Sequence, residues 1–230
     1  MAATIHVKPT ADLAERVLLP GDPGRALALA QLLLGEPKMF NHNRGLWGYT
    51  GADQDGAPLT IQSTGMGGPS AAIVIAELIE LGARRFIRVG TCGAVAPSLA
   101  LGDLVIARDS VAEDGTSRAL GAGARIAASG ALLAALARAA DARAVAGSVV
   151  SSDLFYDGDE GRERRWRELG ALAVEMETAT LFALAARRGV TAASLLAVSD
   201  VLLPARARID PDGLADAERR MGEIAAAALR

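Results

Sequence analysis

Two kinds of apolar pattern alternate along this chain: short unbroken apolar runs, and longer stretches with apolar side chains every three or four residues. Arg16–Leu19, Leu104–Ala107, Ala144–Val150 and Val190–Val198 are runs of the first kind and predict buried strands. The segments Arg44–Gly51 and Pro58–Thr64 predict two further strands joined by a polar turn at Asp53-Gln-Asp-Gly56, and Leu172–Val174 is a short apolar run. Helical spacing predicts helices from Pro23 to about Leu34, from Ser70 to Leu81 through Ile73, Val74 and Leu78, near 130–140, and from Glu175-Met-Glu177 to Arg188. A charged, solvent-facing helix is expected over 159–169 and a closing helix over 213–229. Residues 4–7 alternate like a short strand, 113–130 read as a long excursion, and 201–212, with Pro204 and Pro211, read as a polar loop. Strands and helices alternate with no repeat and no low-complexity linker. That predicts a single α/β domain over 1–230, with a mixed, mainly parallel central sheet and helices on both faces.

One strand breaks the apolar rule. Phe86-Ile-Arg-Val-Gly-Thr-Cys-Gly-Ala-Val95 carries Arg88 inside a run that a central parallel strand would bury, where an unpaired charge costs several kcal/mol. Gly90 and Gly93 permit close backbone approach, and Thr91 adds a hydroxyl at the carboxyl end of the strand, where open α/β sheets bind ligands. The segment is readable either as an anion site or as an arginine at a strand edge facing solvent. A second candidate lies at Pro20-Gly-Asp-Pro-Gly-Arg25, between a strand and a helix, an arrangement that aims backbone amides at an anion. Asp22 is the expected N-cap and Pro23 the first helical residue. Arg25 then opposes the helix dipole, a local conflict typical of functional positions.

Composition narrows the partners. Half of the 230 residues are apolar but only 3% are aromatic, so the core is built from Ala, Leu, Val and Ile. A net charge of −3 gives no electrostatic footprint for nucleic acid or an anionic membrane. The single cysteine, Cys92, excludes an internal disulfide and suits a reducing compartment. The first residues lack the apolar core of a signal peptide, and no apolar run reaches the roughly 20 residues of a membrane span, so a cytoplasmic protein is expected. Of the 24 basic residues only Lys8 and Lys38 are lysines, so an arginine is informative only where its context is wrong for solvent.

Four polar clusters fall where strands end: Gly21/Arg25, Arg88/Thr91, Glu175/Glu177 and Ser199/Asp200. In a parallel sheet these ends share a rim. The first two clusters supply the forks, hydroxyl and amides of a phosphate cage. Glu177, beside Met176, offers a carboxylate to paired hydroxyls such as those of a ribose, and Asp200 offers a general acid. Each has a plainer reading, since Glu175 and Glu177 head a helix, where carboxylates are favoured anyway, and Asp200 can cap a turn. His6 and His42 are isolated. No His/Cys/carboxylate cluster has metal-ligand spacing, and Cys92 has no activating histidine near it in sequence. The glycines of Gly65-Met-Gly-Gly lack the acidic residue of a dinucleotide fingerprint, and neither a P-loop nor a Gly-x-Ser-x-Gly elbow is present. Phe155-Tyr156 suits either stacking or core packing.

Taken together, Pro20-Gly-Asp-Pro-Gly-Arg25, Asn43-Arg-Gly45, Gly65-Met-Gly67, Arg88-Val-Gly-Thr-Cys-Gly93, Ser152-Asp-Leu-Phe-Tyr156, Val174-Glu-Met-Glu177 and Val198-Ser-Asp200 resemble the nucleoside phosphorylase family. The likeness is to the hexameric bacterial purine nucleoside phosphorylases, with uridine and methylthioadenosine phosphorylases as relatives, and it runs in order from His6 to Asp200. It implies a phosphate site of Gly21, Arg25, Arg88 and Thr91, completed by Arg44 from a neighbouring subunit. It also implies that His6 crosses that interface to the ribose 5′-hydroxyl. Met176 and Glu177 would hold the ribose with Glu175 nearby. Phe155, Val174, Cys92 and Gly93 would line the base pocket, and Ser199 and Asp200 would face the purine. An arginine assisting Asp200 is implied as well. Arg206, Arg208 and Arg219 are candidates, and the Ala217-Glu-Arg219 context matches best.

The activity so implied is reversible phosphorolysis of purine (deoxy)ribonucleosides in purine salvage, by a homohexamer using inorganic phosphate as co-substrate and no cofactor or metal. The alternatives are a uridine phosphorylase, a 5′-methylthioadenosine phosphorylase, a hydrolytic nucleosidase and a non-catalytic nucleoside-binding protein. Residues 157–164 lack the Gln of the Gln-x-Arg pair with which uridine phosphorylases read uracil, and those enzymes also lack an acid at the position of Asp200. A nucleosidase would have no use for three arginines around an anion site.

Overall fold

The structure of this chain is a computed structural model that describes residues 4–156, 159 and 161–230. Its first described residues are an irregular segment bent at Ile5 and His6 rather than the strand expected at 4–7. The Glu77 carboxylate accepts from the backbone N–H groups of Ile5, His6 and Val7, so a side chain ties the segment down instead of a neighbouring strand. The first strand, β1 (Arg16–Leu19), is wholly buried and leads through the Pro20–Asp22 turn into α1 (Pro23–Leu33). Asp22 caps α1 as expected, its carboxylate accepting the Arg25 N–H at 2.7 Å. An unforeseen edge strand follows, β2 (Gly35–Asn41), whose first five residues are exposed and which therefore carries no apolar run to announce it.

The expected hairpin is β3 (Gly48–Ala52) with β4 (Pro58–Gln62). Arg44 and Gly45, expected to begin its first strand, instead belong to a 3₁₀ turn over Asn43–Gly45 with Arg44 at φ 58°, a left-handed conformation uncommon outside glycine. Then come α2 (Gly68–Glu80), β5 (Arg85–Ala94) and β6 (Leu104–Ala112). The strand β6 runs five residues past its apolar core because a bulge at Arg108 keeps the ladder going through Asp109 and Ser110. The excursion at 113–130 contains α3 (Gly115–Ala119) and a short strand, β7 (Arg125–Ala127), and α4 (Gly130–Ala139) and β8 (Ala144–Ser151) follow. The charged helix is α5 (Arg162–Glu168), which buries Trp166 against Glu113 through an Nε1–H bond of 2.7 Å. The chain closes with β9 (Ala171–Glu175), α6 (Thr178–Arg188), β10 (Thr191–Val201), β11 (Ala207–Arg208) and α7 (Pro211–Leu229).

All the strands join one mixed sheet in the order β11-β10-β6-β8-β9-β5-β1-β4-β3-β2, with β7 on β6. Its parallel core is β4-β1-β5-β10, with β6-β8-β9 parallel among themselves. Because β10 pairs with β5 as well as β6, the strands β5, β9, β8, β6 and β10 also close into a ring. Side chains alternate across the pleat. Phe86 and Leu196 point to a core roofed by α2 and α6, whereas Ile87, Val89 and Leu195 point to one roofed by α1, α4 and α7. Among the described residues no helix is long and apolar enough to cross a membrane.

Candidate active site

The carboxyl ends of β1, β4, β5, β9 and β10 open on one cleft of about 780 Å³. Its floor is the charged strand residue. Arg88 shares a strand face with Gly90, and the side chain lies over that glycine. A Cβ on Gly90 would stand 2.6–2.9 Å from the guanidinium atoms, so only glycine leaves the arginine its path. The guanidinium bonds Glu175 through Nε at 2.9 Å and pairs with Glu177 through Nη2 at 2.6 Å, with all three side chains buried. Of the two readings of Arg88, the solvent-facing one is excluded.

The two glutamates are not equivalent. Glu175 also accepts the Ser151 hydroxyl at 2.5 Å and the backbone N–H groups of Glu177 and Thr178 at 2.9 and 3.0 Å. It occupies the amino-terminal anion position of α6 and is saturated by the protein itself. Glu177 accepts the Gly67 N–H at 2.5 Å, lies by the Met176 N–H and pairs with Arg88, but among the described residues it takes no hydroxyl donor, so it is the carboxylate with capacity for a ligand. Burial pushes the Glu177 carboxyl above its ordinary range; Arg88 works against that shift and the nearby Glu175 adds to it. Burial also works against the charge on Arg88, but the two carboxylates more than offset it and raise its pKa. Cys92 is buried, and desolvation followed by the Glu175 charge pushes its thiol well up, which makes it a packing residue and not a nucleophile.

Gly21, Arg25, Gly90 and Thr91 line the cleft around this floor. Gly93, Val174, Met176 and the half-exposed Phe155, whose ring meets Tyr156 edge-on at 5.0 Å, line it as well. Ser199 and Asp200 line it from β10, where a bulge at Ser199 shifts the register against β5. The Ser199 hydroxyl donates to Asp200 Oδ2 at 2.8 Å. Every residue expected in the anion, ribose and base groups of a single chain therefore meets in one cleft.

Three expected residues do not. His6 sits outside it, its Nδ1 2.8 Å from Glu77, and Arg44 lies on the 3₁₀ turn, also outside. Arg219 points away from Asp200 to solvent, paired with Asp216 at 2.6 Å and Glu223 at 3.1 Å along the outer face of α7. Helix periodicity explains the difference, because its neighbour Glu218 faces α1 and a step of one residue turns the side chain through about 100°. Arg208 pairs in β11, and of the three candidate arginines only Arg206 lines the cleft. Sequence reading missed Leu202, which fills the space over Gly93, as well as Arg162 and Trp166, which stack at 4.8 Å. Nothing in the spacing of these side chains signals a site. Met66, from the Gly65-Met-Gly67 motif, also lines the cleft. Asp157, Gly158 and Glu160 of the stretch compared with uridine phosphorylases lie outside the described residues. Among the described residues no group of three or more His, Cys, Asp or Glu is arranged to hold a metal ion.

A cleft at the carboxyl ends of an α/β sheet, floored by a buried arginine between two carboxylates, is where enzymes of this fold class bind their substrates. The chain belongs to the phosphorylase superfamily, whose family model matches residues 15–230. It is 39% identical over 213 residues, 89% of this chain and 90% of the relative, to the DeoD-type purine nucleoside phosphorylase of Caldanaerobacter subterraneus subsp. tengcongensis. It is also 39% identical to the proteins of that name from Alkaliphilus metalliredigens, over 87% of this chain and 88% of the relative, and from Clostridium perfringens, over 88% of each.

Proposed function

We propose that this protein catalyses the reversible phosphorolysis of purine (deoxy)ribonucleosides, giving the free base and (deoxy)ribose 1-phosphate. The observation that carries this reading is the buried Arg88–Glu177 pair, which joins an anion site to a hydroxyl-accepting carboxylate within one guanidinium's reach. Phosphate is held by Arg25, Arg88, Thr91 and the Gly21 turn, and Glu177 accepts from the ribose hydroxyls with Met176 against the sugar. Glu175, saturated by protein donors, holds Arg88 in place. A phosphate oxygen bonds to C1′ as the C1′–N9 bond breaks, and Asp200 passes its proton to N7 of the departing purine. Arg206 takes the assisting role beside Asp200. Phosphate is a co-substrate, and no further cofactor enters the scheme.

His6 and Arg44 act in the cleft of a neighbouring subunit, so the working unit is a homo-oligomer, a hexamer in the resemblance. The exposed apolar Ile5, Trp47, Met66 and Ile73 support such an interface, and the mass in solution tests it. Phosphorolysis in the cytoplasm, as part of purine salvage, is the corresponding role.

Incubation with inosine, adenosine, methylthioadenosine and uridine, with and without phosphate, tests the activity. Purine release that requires phosphate and yields a sugar phosphate supports it. Release without phosphate would mean a hydrolase, preference for uridine or methylthioadenosine would mean the related phosphorylases, and tight binding without turnover would mean a binding protein.

Two further outcomes follow. Gly90→Ala puts a methyl group into the path of Arg88 and is expected to raise the phosphate KM about tenfold or more, at an overpacking cost of about 1–3 kcal/mol. An unchanged phosphate KM would remove Arg88 from the anion site. The nucleoside KM is expected to rise as pH falls through the raised pKa of Glu177, because only the ionised carboxylate accepts from both hydroxyls. The same shift makes Glu177 favour the fold in its protonated form, a contribution lost as pH rises through that pKa. Glu177→Gln should therefore show a flat, uniformly high nucleoside KM with no loss of melting temperature at neutral pH. A KM that followed pH as in the wild type would assign the dependence to another group.

A further inference from the structure

Arg25 has a partly buried partner that lies far away in the chain. Its Nε bonds Glu218 Oε1 at 2.7 Å across a separation of 193 residues, and both side chains are mostly buried, 11% and 19% exposed. The contact is set by helix packing. Gly222 on α7 lies so close to α1 that a Cβ there would meet Leu29 Cδ2 at 2.4 Å. One turn back on each helix, the same line of approach brings Glu218 against Arg25. Among the described residues the two Nη groups of Arg25 have no hydrogen-bond partner, so the carboxylate engages only the inner edge of the fork.

We propose that Glu218 is the positioning residue of the anion end of the cleft: it fixes the Arg25 guanidinium through Nε so that the Nη edge faces phosphate. This rests on the phosphate role given to Arg25 above. Arg25 lies in the first turn of α1, where the dipole repels a cation and no acidic residue of the same turn balances it. Glu218 meets the guanidinium from another helix and, through the Nε hydrogen bond, restricts a long side chain that would otherwise be free to turn away from the cleft.

The test is phosphate saturation at fixed inosine for the wild type, Glu218→Ala, Glu218→Gln and Glu218→Asp, and for Arg25→Ala with and without Glu218→Ala. Glu218→Ala is expected to raise the phosphate KM about tenfold while the nucleoside KM at saturating phosphate moves less than about twofold. Glutamine keeps an acceptor oxygen at the same reach and should recover most of that loss, whereas aspartate keeps the charge but falls short and should not. In the Arg25→Ala background, removal of Glu218 should add nothing, the signature of a residue that acts through another. If the alanine variant does not fold, the aspartate and glutamine variants decide the point. A phosphate KM that is unchanged or lowered in the Ala and Asp variants, or effects that add in the Arg25→Ala background, would overturn the proposal. Wild-type turnover that ignores phosphate would instead overturn the proposed function.

Discussion

Arg88→Ala is expected to lower kcat/KM for phosphate by about 10³-fold or more and to destabilise the fold by about 3–5 kcal/mol. Both effects come from one geometry. The guanidinium is the sole cation between Glu175 and Glu177 among the described residues, and both carboxylates are buried. Its loss leaves two like charges facing each other without a counterion, so Glu177 would take up a proton and lose its capacity for a sugar diol. The loss of phosphate binding and the loss of nucleoside binding should therefore appear together. Arg88→Lys separates charge from shape: a single ammonium cannot meet two carboxylates and phosphate from separate edges, so this variant should recover stability more than activity. Phosphate saturation curves and urea unfolding read the two quantities. A variant that unfolds like the wild type and saturates with phosphate at the same concentration would refute the arrangement.

Asp200→Asn is the second large effect, with kcat on inosine falling about 10²- to 10⁴-fold, the range that general acid catalysis supplies. The substitution keeps the shape of the side chain and an acceptor for the Ser199 hydroxyl, so the melting temperature should hardly move. The decisive control is a nucleoside whose base is already cationic, such as 7-methylguanosine. Its leaving group needs no proton, so its turnover should survive the substitution. Equal losses on both substrates would make Asp200 a binding residue, and near-normal turnover of inosine would remove it from the chemistry.

The parts of this site that lay in short contiguous motifs were legible early. Arg88 stood out because a charge in an apolar run contradicts the burial expected of a central strand, and the Asp22 cap followed from its place before Pro23. Apolar runs found β1 to the residue and placed β5 and β10, although β10 continues three residues past its expected end at Val198. They failed at β2, a polar edge strand, and at the continuation of β6, where a bulge carries pairing through Arg108 and Asp109. Arg219 lies outside the cleft for a related reason. A matching local context cannot say which way a helix face points, and the packing of α7 on α1 turns Glu218 inward and Arg219 out.

By itself, the sequence determined the class of fold, the order of its elements and the residue types gathered at the strand ends, because periodicity and turn chemistry act over a few residues. Only the tertiary structure decided how those residues divide the work. Glu175 and Glu177 look alike in Val-Glu-Met-Glu, yet one is saturated by Ser151 and the start of α6 while the other keeps capacity for a ligand. Arg25 and Glu218 meet because Gly222 lets two helices touch. Such choices depend on which groups compete for each donor once distant segments are packed, and no local stretch of chain carries that information.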